Sequence, residues 1–285
     1  MTVSTAWLAL CLQQRIGTKT LQALMTEFDS PENILAADTK ALKAVKGVGA
    51  KIAESIQSID LSAIEDARQQ WQKADVQLCP IHNPAYPTLL ATLEDAPPVI
   101  FSRGLFDTSL HTKTAAIIGT RNPSPHAEDT AFRLAQVLAQ RGYTIISGLA
   151  KGIDSAAHRG ALSVMDGKTI AVLGSGVLKI YPSENHNLAK NIMQHGYLMS
   201  EVAPDATTNA ARLVARNRLI TGMSQHVFVV ETAIDGGAMH AARFARKQGR
   251  HLYACIFPET GNLQLLRDKA IAIVPDLAKS EHLPD

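Results

Sequence analysis

The sequence predicts an α/β protein. A doubly wound, mostly parallel sheet over residues 113–285 follows a small all-helical domain over 1–75, and a proline-rich linker at 76–112 lies on the second domain. Three observations carry this reading. Short continuous apolar runs at 115–118, 143–146, 169–173, 197–200, 226–231 and 251–255 alternate with helix-length segments, the pattern of a parallel sheet buried on both faces. Gly142, Gly167, Gly196 and Gly249 each stand just before one of those runs, where a helix ends and a glycine is favoured. Residues 1–75, by contrast, have helical spacing and no strand-like run.

Within the helical domain, Leu42-Lys43-Ala44-Val45-Lys46-Gly47-Val48-Gly49-Ala50-Lys51-Ile52-Ala53 has the form of a helix-hairpin-helix. Gly47 and Gly49 permit the tight turn, and Lys46 and Lys51 flank the N-terminus of the second helix, where a nucleic-acid phosphate can sit. The same text also serves as a plain helix connection, so a second DNA contact and a structural role both stay open. Next, Pro80, Pro84, Pro87, Pro97 and Pro98 favour extended, non-helical chain and mark the domain boundary. Beyond them helices are expected at 127–141, 154–162, 185–195, 212–221 and 238–248.

A formal net charge of +2 over 285 residues excludes a polybasic protein, so any nucleic-acid binding must come from a local patch. Cys11, Cys79 and Cys255 are far apart and match no metal-ligand spacing; neither a metal site nor a disulfide framework is expected. The chain opens without a basic segment before an apolar one, and no apolar run approaches ~18 residues. A cytoplasmic protein without membrane contact is the expectation.

In a sheet of this kind ligands bind beyond the carboxyl ends of the strands, and the glycine-rich turns fall there. They are Gly119-Thr120-Arg121, then Ser147-Gly148-Leu149-Ala150-Lys151-Gly152-Ile153-Asp154, then Gly174-Ser175-Gly176, and finally the stretch from Glu231 to Gly236-Gly237. The second turn is the centre: its glycines let backbone approach a ligand, and the helix that follows offers unpaired N–H groups to negative charge. No Gly-x4-Gly-Lys-Ser/Thr occurs, and Lys179 stands where a dinucleotide fingerprint needs its third glycine. No cofactor is therefore expected. Asp154 and His158, four apart on one helix face, could form an acid–base pair, but they read more simply, with Glu231, as structural support for the turns. Ser147 lacks the Gly-x-Ser-x-Gly setting of a nucleophile.

Arg121, Lys151, Arg212, Arg216 and Arg218 supply the charge, with Asn217 among them. Arg212 and Arg216 share a helix face and Arg218 lies about 200° round from Arg216, so Arg216 is expected to face the rim. Arg218 then pairs with an acid such as Glu231 or lines a different wall. Cations set around backbone N–H cradles suit a phosphodiester chain. Aromatic platforms for bases are few; Tyr181 and Tyr86 are the ones near the turns and the linker.

These motifs resemble the DNA-processing protein A family (DprA or Smf). The matching text runs in order through Tyr86-Pro87, Asp95-Ala96-Pro97-Pro98, Ile118-Gly119-Thr120-Arg121, Ser147 to Asp154 with Ala157-His158, Thr169 to Gly174, and Tyr181-Pro182. It continues through Ser200-Glu201, Arg216-Asn217-Arg218-Leu219-Ile220, Val230-Glu231 and Gly261-Asn262. The resemblance implies an extended Rossmann-like domain behind a sterile-alpha-motif-like or helix-hairpin-helix domain. It further implies a homodimer formed through the Rossmann-like domain, a basic pocket for single-stranded DNA, a RecA-type recombinase as partner, and no enzymatic activity. Carried over by position, the pocket uses Gly119, Arg121, Gly148, Lys151, Gly152, Gly174, Gly176, Arg216 and Arg218. This chain departs from the family at His126-Ala127, at Gly236-Gly237-Ala238-Met239-His240-Ala241, where a hydroxyl is lost, and after Phe257-Pro258, where the loop is short and no winged helix is expected. A rival reading is a nucleotide-phosphoribohydrolase-like enzyme, whose glycines after a strand ending in Glu are echoed by Glu231 and Gly236-Gly237. A third is a scaffold whose helical domain docks a protein.

Overall fold

The computed structural model describes residues 3–13, 15–277 and 282–285. Its first part holds helices α1 (Thr5–Cys11), α2 (Thr18–Phe28), α3 (Pro31–Ala36), α4 (Thr39–Ala44), α5 (Ala50–Gln57) and α6 (Leu61–Lys73). Their starts are written in the sequence: Ser4, Ser30, Asp38 and Asp60 each accept a first-turn N–H through the side chain, and Pro31 opens α3. Leu10, Leu24, Ile34, Leu42 and Ile56 close a core of their own. Leu8 and Trp71 turn the other way, onto the sheet, where Trp71 meets Phe101 edge to face at 5.7 Å. The helical domain is thus docked, with α1 shared between two cores and α6 packed on the sheet.

The remainder alternates β1 (Val76–Pro80), α7 (Thr88–Ala91), β2 (Val99–Gly104), β3 (Thr114–Ile118), α8 (Pro125–Gln140), β4 (Thr144–Ser147), α9 (Ile153–Leu162), β5 (Thr169–Val172), α10 (His186–His195) and β6 (Tyr197–Ser200). It continues with α11 (Ala210–Ala215), α12 (Asn217–Gly222), β7 (His226–Val229), α13 (Gly237–Lys247), β8 (His251–Cys255), α14 (Thr260–Arg267) and β9 (Ile271–Ile273). Among the described residues these make one sheet in the order β1-β2-β6-β5-β4-β3-β7-β8-β9. Strands β3 to β9 pair in parallel; β1–β2 and β2–β6 are antiparallel. Alternate residues feed opposite layers: Ala116 and Ile118 face α12 and α13, Ala115 and Ile117 face α8 and α9. No helix among the described residues is long and apolar enough to cross a membrane.

Two expectations are corrected. The proline-rich stretch is more than a linker, for it supplies β1 and β2. Pro80 is tolerated because it ends an edge strand, which has no neighbour on its outer side. The helix expected at 212–221 is broken into α11 and α12 at Arg216.

The sheet reverses direction at β3. From there the chain steps outward through β4, β5 and β6, then returns across β3 to start again at β7. A crevice opens beyond the carboxyl ends of β3 and β7 for that reason. The layer beneath it depends on a close approach of α8 and α9. A Cβ on Gly160 would strike the Phe132 carbonyl and lie 2.9 Å from the Cβ of Ala135. Gly160→Ala is therefore expected to cost about 1–3 kcal/mol in urea denaturation; an unchanged midpoint would show that the two helices have room to spare.

Candidate functional site

The crevice is a cleft of about 440 Å³. Gly119, Thr120 and Arg121 enter from the turn after β3, Ala150 and Asp154 from the turn after β4, and Thr232, Gly236 and Gly237 from the turn after β7. Leu213, Val214, Arg216 and Asn217 close the remaining wall. A smaller recess next to it joins Gly148 and Lys151 to Tyr181 and Arg121.

The turn after β4 is held almost atom by atom. Asp154 accepts from Gly148 N (3.2 Å) and more weakly from Ala150 N (3.4 Å). Arg216 donates through one Nη to the Gly148 and Val172 carbonyls, the latter at 2.7 Å, and its other Nη lies 3.5 Å from Asp154 Oδ2. Asn185 Nδ2 donates to Leu149 O at 2.8 Å, and Ser155 Oγ to Ala150 O at 2.6 Å. Gly148 admits no side chain, since its Cβ would fall on the Arg216 guanidinium. Gly152 has φ +75°, and its Cβ would meet Thr120 O at 2.6 Å. After these bonds the backbone N–H groups of Lys151 and Gly152 have no acceptor among the described residues. Both stand just before α9, where free N–H groups suit an anion.

Arg216 is thus a structural cation. It is 6% exposed, and Asp154 is 5% exposed. Burial pushes the guanidinium down and the carboxyl up from their ordinary values, each opposed by the charge of the other. Arg216 lines both the cleft and the recess, while its hydrogen bonds run inward to the carbonyls of the turn and of β5. Arg218 pairs with Glu201 and, at 3.5 Å, with Asp95, instead of Glu231. It shares with Arg212 a separate cavity of about 620 Å³ between the helical domain and the sheet. Arg212 is occupied there with Thr207 O.

The turn Gly174-Ser175-Gly176 is also covered. Leu213 lies 3.0 Å from where a Gly174 Cβ would be, Gly176 N donates to Ala206 O at 2.8 Å, and Ser175 is buried. Ser147 points into the sheet, donating to Ile117 O at 2.6 Å. Of the expected phosphate-binding residues, the cleft and recess therefore gather Gly119, Thr120, Arg121, Gly148, Lys151, Arg216, Asn217, Gly236 and Gly237, with Gly152 packed just beneath. Arg212, Arg218, Ser147, Gly174, Ser175 and Gly176 stand apart. Lys46, Gly47, Gly49 and Lys51 are exposed on the helical domain, Gly47 with φ +90° and Gly49 capping α5 without a side-chain bond.

Two exposed cations remain at the rim. Arg121 has no carboxylate partner among the described residues, and Lys151 is paired with Glu184, both ends of that pair being more than half exposed. Asn217 Nδ2 reaches Gly237 O at 3.4 Å and ties α12 to the start of α13, whose first turn carries no side-chain cap. Glu231 accepts from Ser124 N (2.8 Å) and Ser124 Oγ (2.7 Å), bracketing the start of α8. Both carboxylate oxygens are engaged. Sequence reading missed Asn262, whose amide accepts from Thr232 N and donates to Val230 O and Cys255 O. An Asn after a glycine in the first turn of an amphipathic helix was the available signal. It missed Asn185, Ser155 and Glu184 too, whose partners lie some thirty residues away. No group of three or more His, Cys, Asp or Glu side chains among the described residues could hold a metal ion.

His158 lies under the turn, fully buried. Thr169 Oγ1 donates to Ile145 O at 2.7 Å, so at its 2.7 Å contact with His158 Nδ1 it must accept, and Nδ1 carries the proton. Nε2 is left as a bare acceptor without a partner. Burial, with the charges of Arg216 and Arg159, holds the imidazole down to about 3. An unfolded histidine takes its proton near 6.5, so the folded state binds fewer protons between those values. Stability is then full above pH ~6.5 and falls as pH drops, by up to about 1.4 kcal/mol per unit from this residue. In denaturation at pH 7 and pH 5, His158→Gln should show a shallower loss than wild type; His111, held by burial at about 4, supplies part of what remains. Equal losses in the two proteins would mean that His158 is not held neutral.

A family profile described as DNA recombination-mediator protein A matches residues 77–279, and one for a SAM-like helix-hairpin-helix tandem matches 14–58. Protein Smf of Synechocystis sp. is 35% identical over 87% of this chain and 63% of its own length. Protein Smf of Escherichia coli is 36% identical over 73% of this chain and 55% of its own length. The chain thus spans roughly three-fifths of these curated relatives. Among solved structures, DNA processing protein A from Streptococcus pneumoniae superposes with TM-score 0.80 at 25% identity, covering 99% of this chain and 100% of its own. That from Helicobacter pylori, solved for its single-stranded DNA binding mode, gives 0.62 at 32% identity over 70% of this chain and 90% of its own.

Proposed function

The chain belongs to the DNA recombination-mediator protein A family, and from that premise we propose that it binds single-stranded DNA and presents it to a RecA-type recombinase, without acting as an enzyme. The observation that carries the proposal is the pair of exposed cations, Lys151 and Arg121, lining one recess beside the free N–H groups of Lys151 and Gly152. Fixed N–H groups with two mobile cations recognise phosphate wherever it recurs along a chain and ignore the base attached to it. Arg216 and Asp154 support this by holding the turn rigid. The binding mode studied in the Helicobacter pylori protein is consistent with the reading. Lys46 and Lys51, with the turn of Gly47 and Gly49, are the second DNA contact, on the helical domain.

The homodimer is assigned to the Rossmann-like domain. Ile234, Ile256 and Leu263 are 51%, 49% and 40% exposed, and Thr260 Oγ1 ties the loop of Ile234 to the start of the helix bearing Leu263. Apolar side chains left uncovered on one end of a sheet suit a two-fold interface. In sedimentation, Leu263→Glu should convert a dimer to monomers; a monomeric wild type would overturn the assignment.

DNA binding is tested by fluorescence anisotropy with labelled single-stranded oligonucleotides over a salt series. Log K falls by about 0.7 per decade of salt for each phosphate neutralised, so two rim cations give a slope near −1.4. Lys151→Glu and Arg121→Ala should each flatten the slope by about 0.7 and weaken every sequence alike. Lys46→Glu with Lys51→Glu should weaken only oligonucleotides long enough to reach the helical domain. Faster assembly of a RecA-type recombinase on the bound strand reports the hand-over. Binding indifferent to salt and to both rim substitutions would sink the reading.

A further inference from the structure

Lys151, Arg121, Leu213 and Tyr181 line the recess together, and Arg121 and Leu213 continue into the cleft. Tyr181 is 47% exposed, its hydroxyl has no partner among the described residues, and no other residue lining the cleft or recess is aromatic. The segment that follows it is tied to the turn after β4 at two points. Asn185 Nδ2 binds Leu149 O and Ser155 Oγ at 2.8 and 2.9 Å, and Glu184 pairs with Lys151.

We propose that Tyr181 is the base-stacking residue of the site and that it makes the site selective for unpaired nucleic acid. The inference rests on the DNA reading above. A phosphate held at Lys151 leaves its neighbouring base in the same recess, where the exposed ring of Tyr181 offers a face. Stacking on a ring tolerates every base, since each has a π-face, and so adds affinity without reading sequence. Duplex DNA keeps its base faces stacked on one another and cannot offer one, although its phosphates still reach Lys151 and Arg121. Lys151 and Arg121 then supply general phosphate affinity, and Tyr181 supplies the preference for single strands.

The test compares wild type, Tyr181→Ala and Tyr181→Phe on three ligands of equal length: a single strand, the same strand with abasic sites, and its duplex. Loss of one base–aromatic stack is expected to weaken the single strand about tenfold in Tyr181→Ala and leave Tyr181→Phe near wild type. Wild type should bind the abasic strand as weakly as Tyr181→Ala binds the intact one, a comparison that needs no folded variant. Duplex binding should be the same in all three proteins. If Tyr181→Ala binds the intact strand like wild type, or loses as much on the abasic strand and the duplex, the stacking role is wrong while DNA binding stands. If wild type binds no single strand at all, the DNA reading itself has failed.

Discussion

The site depends on one buried ion pair. Arg216 and Asp154 lie between the turn after β4 and the end of β5, each almost wholly removed from water. Such a pair is expensive to desolvate, and hydrogen bonds to the surrounding backbone offset part of that cost although Arg216 Nε is left without a partner among the described residues. Here Asp154 takes the N–H of Gly148, and Arg216 takes the carbonyls of Gly148 and Val172. The charges are spent on fixing the path of the backbone through residues 148–150. Removing either partner would leave the other buried and unpaired, at a cost on the order of 3–5 kcal/mol. The helix break between α11 and α12 belongs to the same bargain, since it falls at the residue whose side chain must reach across to the turn.

That arrangement separates two kinds of cation by burial. Arg216 and Arg218 are largely buried and already paired with acids, Asp154 in one case and Glu201 with the exposed Asp95 in the other. Arg121 and Lys151 sit in water, where a charge costs little to keep and can be offered to a ligand. Their attraction for anions is screened by salt to a degree that buried pairs escape. Glu184, paired with Lys151 in the free protein, occupies the cation until an anion competes for it; as an exposed pair it yields readily.

Much of the fold was legible in the sequence because parallel strands buried on both faces are uninterrupted apolar runs, and helix ends before them carry glycine. The runs at 115–118, 169–173, 197–200 and 251–255 became β3, β5, β6 and β8 nearly residue for residue. Strands β1 and β2 were hidden by their prolines, which local rules read as linker; only the antiparallel pairing with β6 explains why that segment is ordered. The rim was legible in the same way, as turns at the strand ends. Which arginine would face it was not. Helical spacing separates Arg216 from Arg218 in angle, but it cannot say that Asp154, sixty-two residues earlier, comes to lie beside Arg216.

The same limit explains the third glycine turn. Gly174-Ser175-Gly176 has the composition of a ligand turn, yet its glycines accommodate protein, with Leu213 against one and the carbonyls of Ala203 and Pro204 against the other. A missing Cβ records a close approach and does not record whose. At Gly148 the approaching group is the Arg216 guanidinium, at Gly152 it is Thr120 O, and at Gly176 it is the segment leading to α11. Glycine-rich text at strand ends therefore marks where backbone is crowded, and the ligand-facing part must be found among the donors left over once internal partners are counted. In this chain that remainder includes the N–H groups of Lys151 and Gly152 and those at the uncapped start of α13, and the recess beside the former gathers the two exposed cations and Tyr181.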